Sequence, residues 1–335
     1  MTGTARHLAT ASTATLAALL VAAAPPPTPD APRVTEWPVP WADTRPRDPD
    51  VAPDGTVWFV GQRGDYLAAF DPATGKFRRI DLPEGTGPHN LVVGADGAIW
   101  YAGNASAHIG RLDPASGEIT RIAMPGPEAR DPHTLVVGTG GDLWFTVQQG
   151  NRVGHLETTS GEVTILGLRT SAARPYGIVT DPAGRPWFTE FGSYKLGTVD
   201  PETMKLREID LPRTVARPRR LALTSDGAVW YVDYAQGRLG RYRPSSGLVD
   251  EWPVPGGREA KPYAMAADDR DRIWFVESGP EPNRLVGFDP AEERFFGITE
   301  LESGGGSVRH MVFHAPTRTL WFGTDANTLA RAELP

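Results

Sequence analysis

The fold is decided by a stretch that recurs along the chain and reads LALTSDGAVWYVDYAQGRLGRYR over residues 221–243. In it, a short apolar run is followed by Asp226-Gly227 and then by Trp230-Tyr231. Asp-Gly between two apolar runs is a strong signal for a β-hairpin. The segment Leu239–Tyr242 continues the alternation and indicates a third strand. The stretch therefore predicts short antiparallel strands joined by tight turns.

An aromatic dipeptide that begins with tryptophan marks seven such repeats. The dipeptides are Trp58-Phe59, Trp100-Tyr101, Trp144-Phe145, Trp187-Phe188, Trp230-Tyr231, Trp274-Phe275 and Trp321-Phe322. Their regular spacing of 42 to 47 residues is typical of stacked supersecondary units. Turns such as Asp71–Gly75 separate the third strand from a fourth. Four antiparallel strands in each of seven repeats predict an all-β fold, a seven-bladed β-propeller.

The two chain ends complement each other. The last repeat ends at Pro335 after three strands. The sequence EWPVP of residues 36–40 is repeated at residues 251–255, where it forms the fourth strand of another repeat. We therefore predict that an N-terminal strand within residues 34–40 closes the last blade, and that the propeller domain spans residues 34–335.

The first 33 residues differ from the repeats. Arg6 and His7 precede an apolar run of small residues from Leu8 to Ala24, which predicts a signal peptide over residues 1–24. A membrane helix is the competing interpretation, but the run is short and rich in threonine, whereas a span needs about 20 strongly apolar residues. Residues 25–33 form a linker rich in proline. We expect a secreted or periplasmic protein with no membrane span in the mature chain.

Composition excludes several classes of function. The chain has no cysteine, so disulfides, thiol nucleophiles and thiolate metal sites are excluded. Its net charge is −7 without a basic cluster, which argues against nucleic acid as a partner. We expect a monomer that binds a small molecule or a cyclic peptide.

Aligning the repeats on their tryptophans gives candidate site residues. The residues eleven positions before each tryptophan are Arg47, His89, His133, Tyr176, Arg219, Tyr263 and His310. Each lies where an inner strand is expected to begin, so the seven should ring one mouth of the central channel. We predict that His89, Tyr176, Arg219 and Tyr263 bind substrate, since several convergent polar groups in a concave site are typical of a ligand site. A structural interpretation remains open, in which Arg219 pairs with Asp233 and Tyr263 with Glu277 across strands.

The repeats also resemble a known family. The segments Arg174–Ile178, Leu143–Thr146 and Arg152–Gly154 are similar to those of the virginiamycin B lyase family, and the resemblance covers nearly the whole chain after residue 34. It implies a metal-dependent lyase that opens a cyclic depsipeptide antibiotic by elimination. That chemistry requires a base for the α-proton, a role suited to histidine. It also requires a cation that stabilises the enolate-like charge, and the resemblance implies Mg²⁺.

The family's site residues can be placed on this chain in two ways. In the last two blades, the catalytic base of the family falls on His310 and a metal-binding carboxylate falls on Asp325. Two positions do not match. Tyr263 stands where the family has the histidine of a Pro-His pair, and Val308-Arg309 stands where it has Glu-Pro. The family pattern can also be placed on another pair of adjacent blades. There, Pro88-His89 followed by Asp131-Pro132-His133 matches the family's Pro-His and Glu-Pro-His more closely, and Gln148 replaces the second carboxylate. The resemblance thus implies His310 or His133 as the catalytic base and Asp325 or Asp131 as a metal ligand.

Two other functions fit a propeller with a polar channel mouth. One is a propeller that binds a ligand or a protein without catalysis. The other is a metal-dependent lactonase with Glu, Asn and Asp ligands. Asn104 is the only asparagine at the mouth positions, which counts against a lactonase.

Overall fold

A computed structural model describes Met1 and residues 31–335. The rest of the predicted signal peptide and residues 25–30 of the predicted linker lie outside the described residues. The strands are β1 Arg33–Pro38, β2 Pro46–Val51, β3 Val57–Gly61, β4 Tyr66–Asp71, β5 Lys76–Asp81, β6 Pro88–Val93, β7 Ile99–Gly103, β8 His108–Leu112, β9 Ile119–Ala123, β10 Pro132–Val137, β11 Leu143–Val147, β12 Arg152–Leu156, β13 Val163–Gly167, β14 Pro175–Thr180, β15 Pro186–Glu190, β16 Lys195–Asp200, β17 Lys205–Asp210, β18 Pro218–Leu223, β19 Val229–Asp233, β20 Arg238–Arg243, β21 Leu248–Pro253, β22 Pro262–Ala267, β23 Ile273–Glu277, β24 Arg284–Asp289, β25 Arg294–Glu300, β26 Val308–His314, β27 Thr319–Thr324 and β28 Thr328–Glu333. Short 3₁₀ helices cover Asn104–Ser106, Pro127–Ala129, Gly257–Ala260 and Ala315–Thr317.

The strands form seven four-stranded antiparallel sheets, which are the seven blades of a propeller. Six blades use four consecutive strands, from β2–β5 to β22–β25, and the first strand of each blade is the innermost. This architecture confirms the predicted fold. None of the helices in the described part of the chain has the length and apolar character that a membrane span requires.

The seventh blade joins the two ends of the chain. β1 pairs with β28, from Arg33 opposite Glu333 to Pro38 opposite Thr328, and completes the sheet of β26, β27 and β28. Trp37 stacks on Trp321 with ring centroids 5.7 Å apart. Trp252, in the repeated copy of the same sequence, stacks on Trp230 at 5.6 Å. The predicted closure of the ring is therefore confirmed.

The aromatic dipeptides form the packing between and within the blades. Each tryptophan is at most 4% exposed, and each following aromatic ring is fully buried. In blades two to five, the second ring lies on a glycine of the neighbouring strand, as Tyr231 does on Gly240. A Cβ atom at Gly240 would lie 2.1 Å from the Tyr231 ring. The repeated glycine in the third strand is therefore required by this aromatic packing.

Candidate functional site at the channel mouth

The start of each inner strand positions the residues of the channel mouth. In blades one to six, the strand begins at a proline that pairs with the residue three positions after the tryptophan, as Pro88 does with Gly103. The register then shifts before Leu91, and the other inner strands shift at the equivalent place. Such a bulge interrupts the alternation of side chains between the two faces of a strand. Two successive residues in each inner strand can therefore supply two layers of the channel.

We call the layer nearest the channel opening the mouth ring. The main polar residues of the next layer into the channel form the channel floor. The mouth ring consists of Arg47, His89, His133, Tyr176, Arg219, Tyr263 and Arg309. The channel floor consists of Asp48, Asn90, Thr134 and Arg220.

The predicted alignment is wrong by one residue in the last blade. Val308 pairs with Thr324 and Met311 with Phe322, so Val308 occupies the place of the proline in the other blades. Arg309 rather than His310 is therefore the mouth-ring residue of this blade. The cause is one extra residue in the hairpin between β26 and β27, which contains the 3₁₀ helix Ala315–Thr317.

The channel floor is a buried ion pair that crosses the channel. The Asp48 carboxylate is fully buried and accepts hydrogen bonds from Arg47 Nε and from an Arg220 terminal nitrogen, each at 3.0 Å. Asn90 donates to the same carboxylate at 3.3 Å. Burial alone would raise the pKa of Asp48, but Arg47 and Arg220 hold it well below its usual value. Asp48 is thus a permanent anion, and Arg220 connects blade five to blade one.

Arg220 also contacts two further blades. Its Nε donates to the Arg309 carbonyl at 2.9 Å, and a terminal nitrogen lies 3.4 Å from Thr134 Oγ1. One side chain therefore links four of the seven blades, which fixes the geometry of the mouth ring above it.

Two histidines form one side of the mouth ring. The rings of His89 and His133 lie 3.6 Å apart between centroids, and His89 Nδ1 donates to the His133 carbonyl at 3.0 Å. A carbonyl accepts only, so this bond places the His89 proton on Nδ1 and leaves Nε2 with a free lone pair. Burial, together with the positive charges of Arg47 and Arg220, holds the pKa of His89 well below its usual value. The pKa of His133 is lowered by burial, by His89 and by Arg47. Both imidazoles are therefore neutral at pH 7.

Aromatic side chains form the other side of the mouth ring. Tyr176 and Tyr263 are 4% and 2% exposed, and their hydroxyl groups share a hydrogen bond. Burial opposes ionisation of Tyr176, but Arg219, Arg47 and Arg220 lower its pKa to about 8. Burial and the neighbouring Tyr176 raise the pKa of Tyr263. The guanidinium groups therefore favour ionisation of one hydroxyl of this pair over that of an isolated buried tyrosine.

The cross-strand pairs considered from sequence do not form. Asp233 accepts backbone N–H groups of Arg217, Ala235 and Gln236 rather than the Arg219 guanidinium. Glu277 pairs with Arg284 and accepts from the Gly256 backbone, away from Tyr263. The structural interpretation of these two mouth positions was wrong, because the residues three positions after each tryptophan are buried within the blades.

A family model described as the Virginiamycin B lyase family matches residues 28–241. The chain belongs to the virginiamycin B lyase family. Virginiamycin B lyase from Staphylococcus aureus matches with a TM-score of 0.82 and 24% identity, covering 91% of this chain and 100% of that one. A streptogramin B lyase structure matches with a TM-score of 0.82, 25% identity and coverage of 91% and 98%. A catalytically inactive histidine-to-alanine variant of the Staphylococcus aureus lyase with quinupristin gives a TM-score of 0.83 at 24% identity, with coverage of 91% and 100%. No curated protein matches the chain in sequence.

The virginiamycin B lyase resemblance implies magnesium, but the predicted ligands do not fit it. Asp325 forms ion pairs with Arg309 and, at 3.7 Å, with Arg45. Asp131, in the loop before β10, accepts the backbone N–H groups of Gln149 and Gly150 at 2.5 and 3.1 Å. Across the described residues, no group of three or more His, Asp or Glu side chains is placed to hold a metal ion. A guanidinium group beside Asp325 also competes electrostatically with any cation.

His310 follows Arg309 in β26 and therefore lies in the layer of the channel floor, level with Asp48 and Arg220, where it borders the apolar half of the channel. It lines a cavity of about 320 Å³ together with apolar residues of four inner strands, such as Leu221, Met265 and Phe313. Its Nδ1 is buried and has no hydrogen-bond partner among the described residues. Burial and Arg220 lower the pKa of His310 to about 3, against the effect of Asp48. His310 therefore lies one layer below His89 and His133, which do come together in the mouth ring.

The remaining predicted residues surround the ring. The positions four residues after each tryptophan form a rim around the mouth ring. Asp325 is exposed, and the other six are half-buried: Gln62, Asn104, Gln148, Phe191, Tyr234 and Ser278. Asn104 uses its side-chain amide to donate to the Pro132 carbonyl at 3.0 Å.

The residues that sequence reasoning missed are Asp48, Asn90, Arg220 and Arg309. A signal for the first three was available. The pairs Arg47-Asp48, His89-Asn90 and Arg219-Arg220 put two adjacent polar residues at the start of an otherwise apolar strand.

Proposed function

We propose that this protein opens cyclic depsipeptides or related cyclic esters by elimination, and that the reaction takes place at the mouth ring. Membership of the virginiamycin B lyase family supports this reaction class. The observation that carries the proposal is the His89–His133 pair, which offers a neutral imidazole with a fixed tautomer in a positively charged site. The resemblance to this family also supports a cyclic ester as substrate.

In this proposal, His89 Nε2 is the general base. It removes the proton from the carbon α to a substrate carbonyl, and the electron pair of that C–H bond forms the double bond to the β carbon. The β carbon–oxygen bond breaks, and the ester oxygen leaves as part of a carboxylate. The proton then passes from His89 to solvent. No water is consumed, so the linear product is an isomer of the cyclic substrate.

The arginines of the site supply the electrostatic part of the mechanism. Burial and the guanidinium groups of Arg47 and Arg220 lower the pKa of His89, because Arg47 is part of the mouth ring and Arg220 lies directly below it. The positive potential of these groups favours negative charge on the substrate carbonyl oxygen as the α-proton leaves. Fixed charges in a site that excludes water are usually the largest contribution to such stabilisation. Because the carboxylates present do not fit magnesium, the proposal assigns no step to a metal.

The product of the reaction provides the test. The purified protein is incubated with a streptogramin B in ¹⁸O-labelled water, with and without EDTA, and the product is analysed by mass spectrometry. We expect a linear product with the mass of the substrate, no label, and rates that agree within about twofold with and without EDTA. A product heavier by one labelled water would identify a hydrolase. A rate abolished by EDTA and restored by Mg²⁺ would contradict the metal-free mechanism.

Ligand binding without turnover is the second candidate, and one observation favours it. The polar groups of the mouth ring and rim bond to one another, as Arg309 does with Asp325 and Tyr176 with Tyr263. Binding of the intact depsipeptide with no isomeric product would support this function.

We also propose that the chain is exported, on the evidence of its apolar N-terminal run and the small residues that end it. N-terminal sequencing of the protein from culture medium or periplasm tests this proposal. A mature chain that still begins at Met1 would contradict it.

A further inference from the structure

Arg219 differs from the other arginines of the channel mouth. Arg47 and Arg220 pair with Asp48, and Arg45 and Arg309 pair with Asp325. Within residues 31–335, no carboxylate lies within ion-pair distance of Arg219. The site as a whole therefore has more guanidinium groups than carboxylates, in a chain whose net charge is −7.

Aromatic rings surround the Arg219 guanidinium on several sides. Its central carbon lies 3.8 Å from the ring centroid of Tyr263, 4.3 Å from Tyr234, 4.5 Å from Phe191 and 5.0 Å from Tyr176. The rings hold the guanidinium in place by cation–π contacts. The Arg219 Nε is buried and has no hydrogen-bond partner among the described residues, while the Tyr176 hydroxyl interacts with the same guanidinium. The geometry thus presents a fixed cation that has no carboxylate partner among the described residues.

We infer that Arg219 is the receptor for a carboxylate group of the ligand. A guanidinium presents paired N–H donors that match the two oxygens of a carboxylate, and such charge-assisted bonds are the stronger class. Phe191 and Tyr234 are half-buried at the rim, so they can contact an apolar group next to that carboxylate. The class of ligand is therefore a carboxylate with an adjacent apolar or aromatic group.

This inference deepens the proposed function and, for its role in turnover, rests on it. Elimination at an ester releases a carboxylate, and Arg219 receives that leaving group. The linear product should then bind and inhibit. The receptor itself can be tested by binding alone, without turnover.

An aromatic cage around a cation has a competing explanation. Arg219 could occupy a cage built for an organic ammonium ligand, in which case removing its side chain would open the cage. This alternative predicts that Arg219→Ala gains affinity for tetramethylammonium. The carboxylate receptor predicts no such gain.

Calorimetric titration with two isosteric probes tests the inference. Phenylacetate and phenylacetamide have the same shape and differ in charge. We expect phenylacetate to bind the native protein at least about tenfold more tightly than the amide, with an affinity that falls as salt is added. Arg219→Met should lose about tenfold or more in affinity for phenylacetate. Arg219→Lys should keep the preference for the anion with weaker binding, because it retains the charge without the paired donors.

Arg111→Met is the matched control. Arg111 also lies over a ring, that of Trp100, but it pairs with Asp96 on the outer part of its blade. Its substitution should leave phenylacetate binding unchanged. If Arg219→Met does not fold, the preference of the native protein for phenylacetate over phenylacetamide and the binding by Arg219→Lys still test the inference.

Equal binding of phenylacetate and phenylacetamide, unchanged binding by Arg219→Met, or gain of tetramethylammonium binding by Arg219→Ala would overturn the inference. Isomeric product from a streptogramin B without selectivity for phenylacetate would refute the receptor and leave the proposed function intact. Selective phenylacetate binding without turnover would support the receptor and count against elimination.

Discussion

The same inner strands begin in a charged channel mouth and end in an apolar channel. At the mouth, arginines, histidines and tyrosines from seven blades contact one another around Asp48. At the far end, the strands supply residues such as Val179, Leu223 and Phe313 around a cavity of about 320 Å³. The seven blades repeat the same backbone at each end, so the propeller fold alone does not dictate this difference. Charge is concentrated at the end where a buried carboxylate compensates it, and we therefore place the function there.

Removal of the closing strand should damage the mouth more than the far end. The segment after β1 borders the mouth, where Asn327 donates to the Val39 and Trp41 carbonyls and Arg45 pairs with Asp325. A chain lacking residues 1–41 also exposes the edge of β28 and loses the Trp37–Trp321 stack. Trp37 is half-buried, so its loss should cost less than the roughly 3–5 kcal/mol of a fully buried tryptophan, and the missing strand adds to that cost.

The measurement is the urea unfolding of three proteins: the full chain, the chain lacking residues 1–41 and a chain lacking residues 1–30. The shorter deletion should unfold like the full protein. Amide exchange should then show faster exchange at Arg309 and Asp325 than at Val312 in the chain lacking residues 1–41. Equal unfolding midpoints for the two deletions would contradict the role of β1.

The next effect concerns the channel floor. Asp48→Asn should destabilise the protein by about 3–5 kcal/mol, because it leaves Arg47 and Arg220 buried without their counter-ion. Asparagine is the suitable replacement, since Asp48 has a φ of 47° and asparagine tolerates that region. The control is Asp96→Asn, which breaks the exposed pair with Arg111 and should cost about 1 kcal/mol or less. Similar free energies of unfolding for the two variants would show that the floor is not an essential ion pair.

The smallest stability effect concerns His310, which lies one layer below the mouth ring. Its pKa is about 3 in the folded protein and near 6.5 in the unfolded chain, so unfolding takes up a proton between these values. Native stability should therefore fall as the pH drops below about 6.5, by up to about 1.4 kcal/mol per pH unit from this residue. His310→Leu removes this loss and fits the apolar surroundings. The free energy of unfolding of His310→Leu, measured with urea relative to that of the native protein, should rise when the pH is lowered from 6.5 to 5. The same difference at both pH values would contradict the burial of a neutral His310.

Much of the fold could be predicted because each blade repeats its own signals. Seven tryptophans, the Asp-Gly turns and the EWPVP repeat were sufficient for the blade number and for the closure by β1. These signals are local in sequence or repeat with a fixed period.

The site was predicted only in part. The mouth ring was correct in six blades, and it failed in the seventh because one extra hairpin residue shifts Arg309 into the place assigned to His310. The reach of Arg220 across the channel to Asp48 depends on the closed ring, so no local pattern reveals it. For the same reason, the pairing of Asp325 with Arg309, which removes it from metal binding, could not be foreseen from spacing.

The most direct test of the central claim is a comparison of His89→Ala and His310→Ala in the ring opening of a streptogramin B, followed as formation of the isomeric product. Loss of a general base typically lowers the rate about 10²–10⁴-fold, so His89→Ala should fall by that factor. His310→Ala, one layer below the mouth ring, should stay within about threefold of the native rate, and far-ultraviolet circular dichroism checks that both variants are folded. A larger loss in His310→Ala than in His89→Ala would place the reaction at the apolar end of the channel and contradict the account.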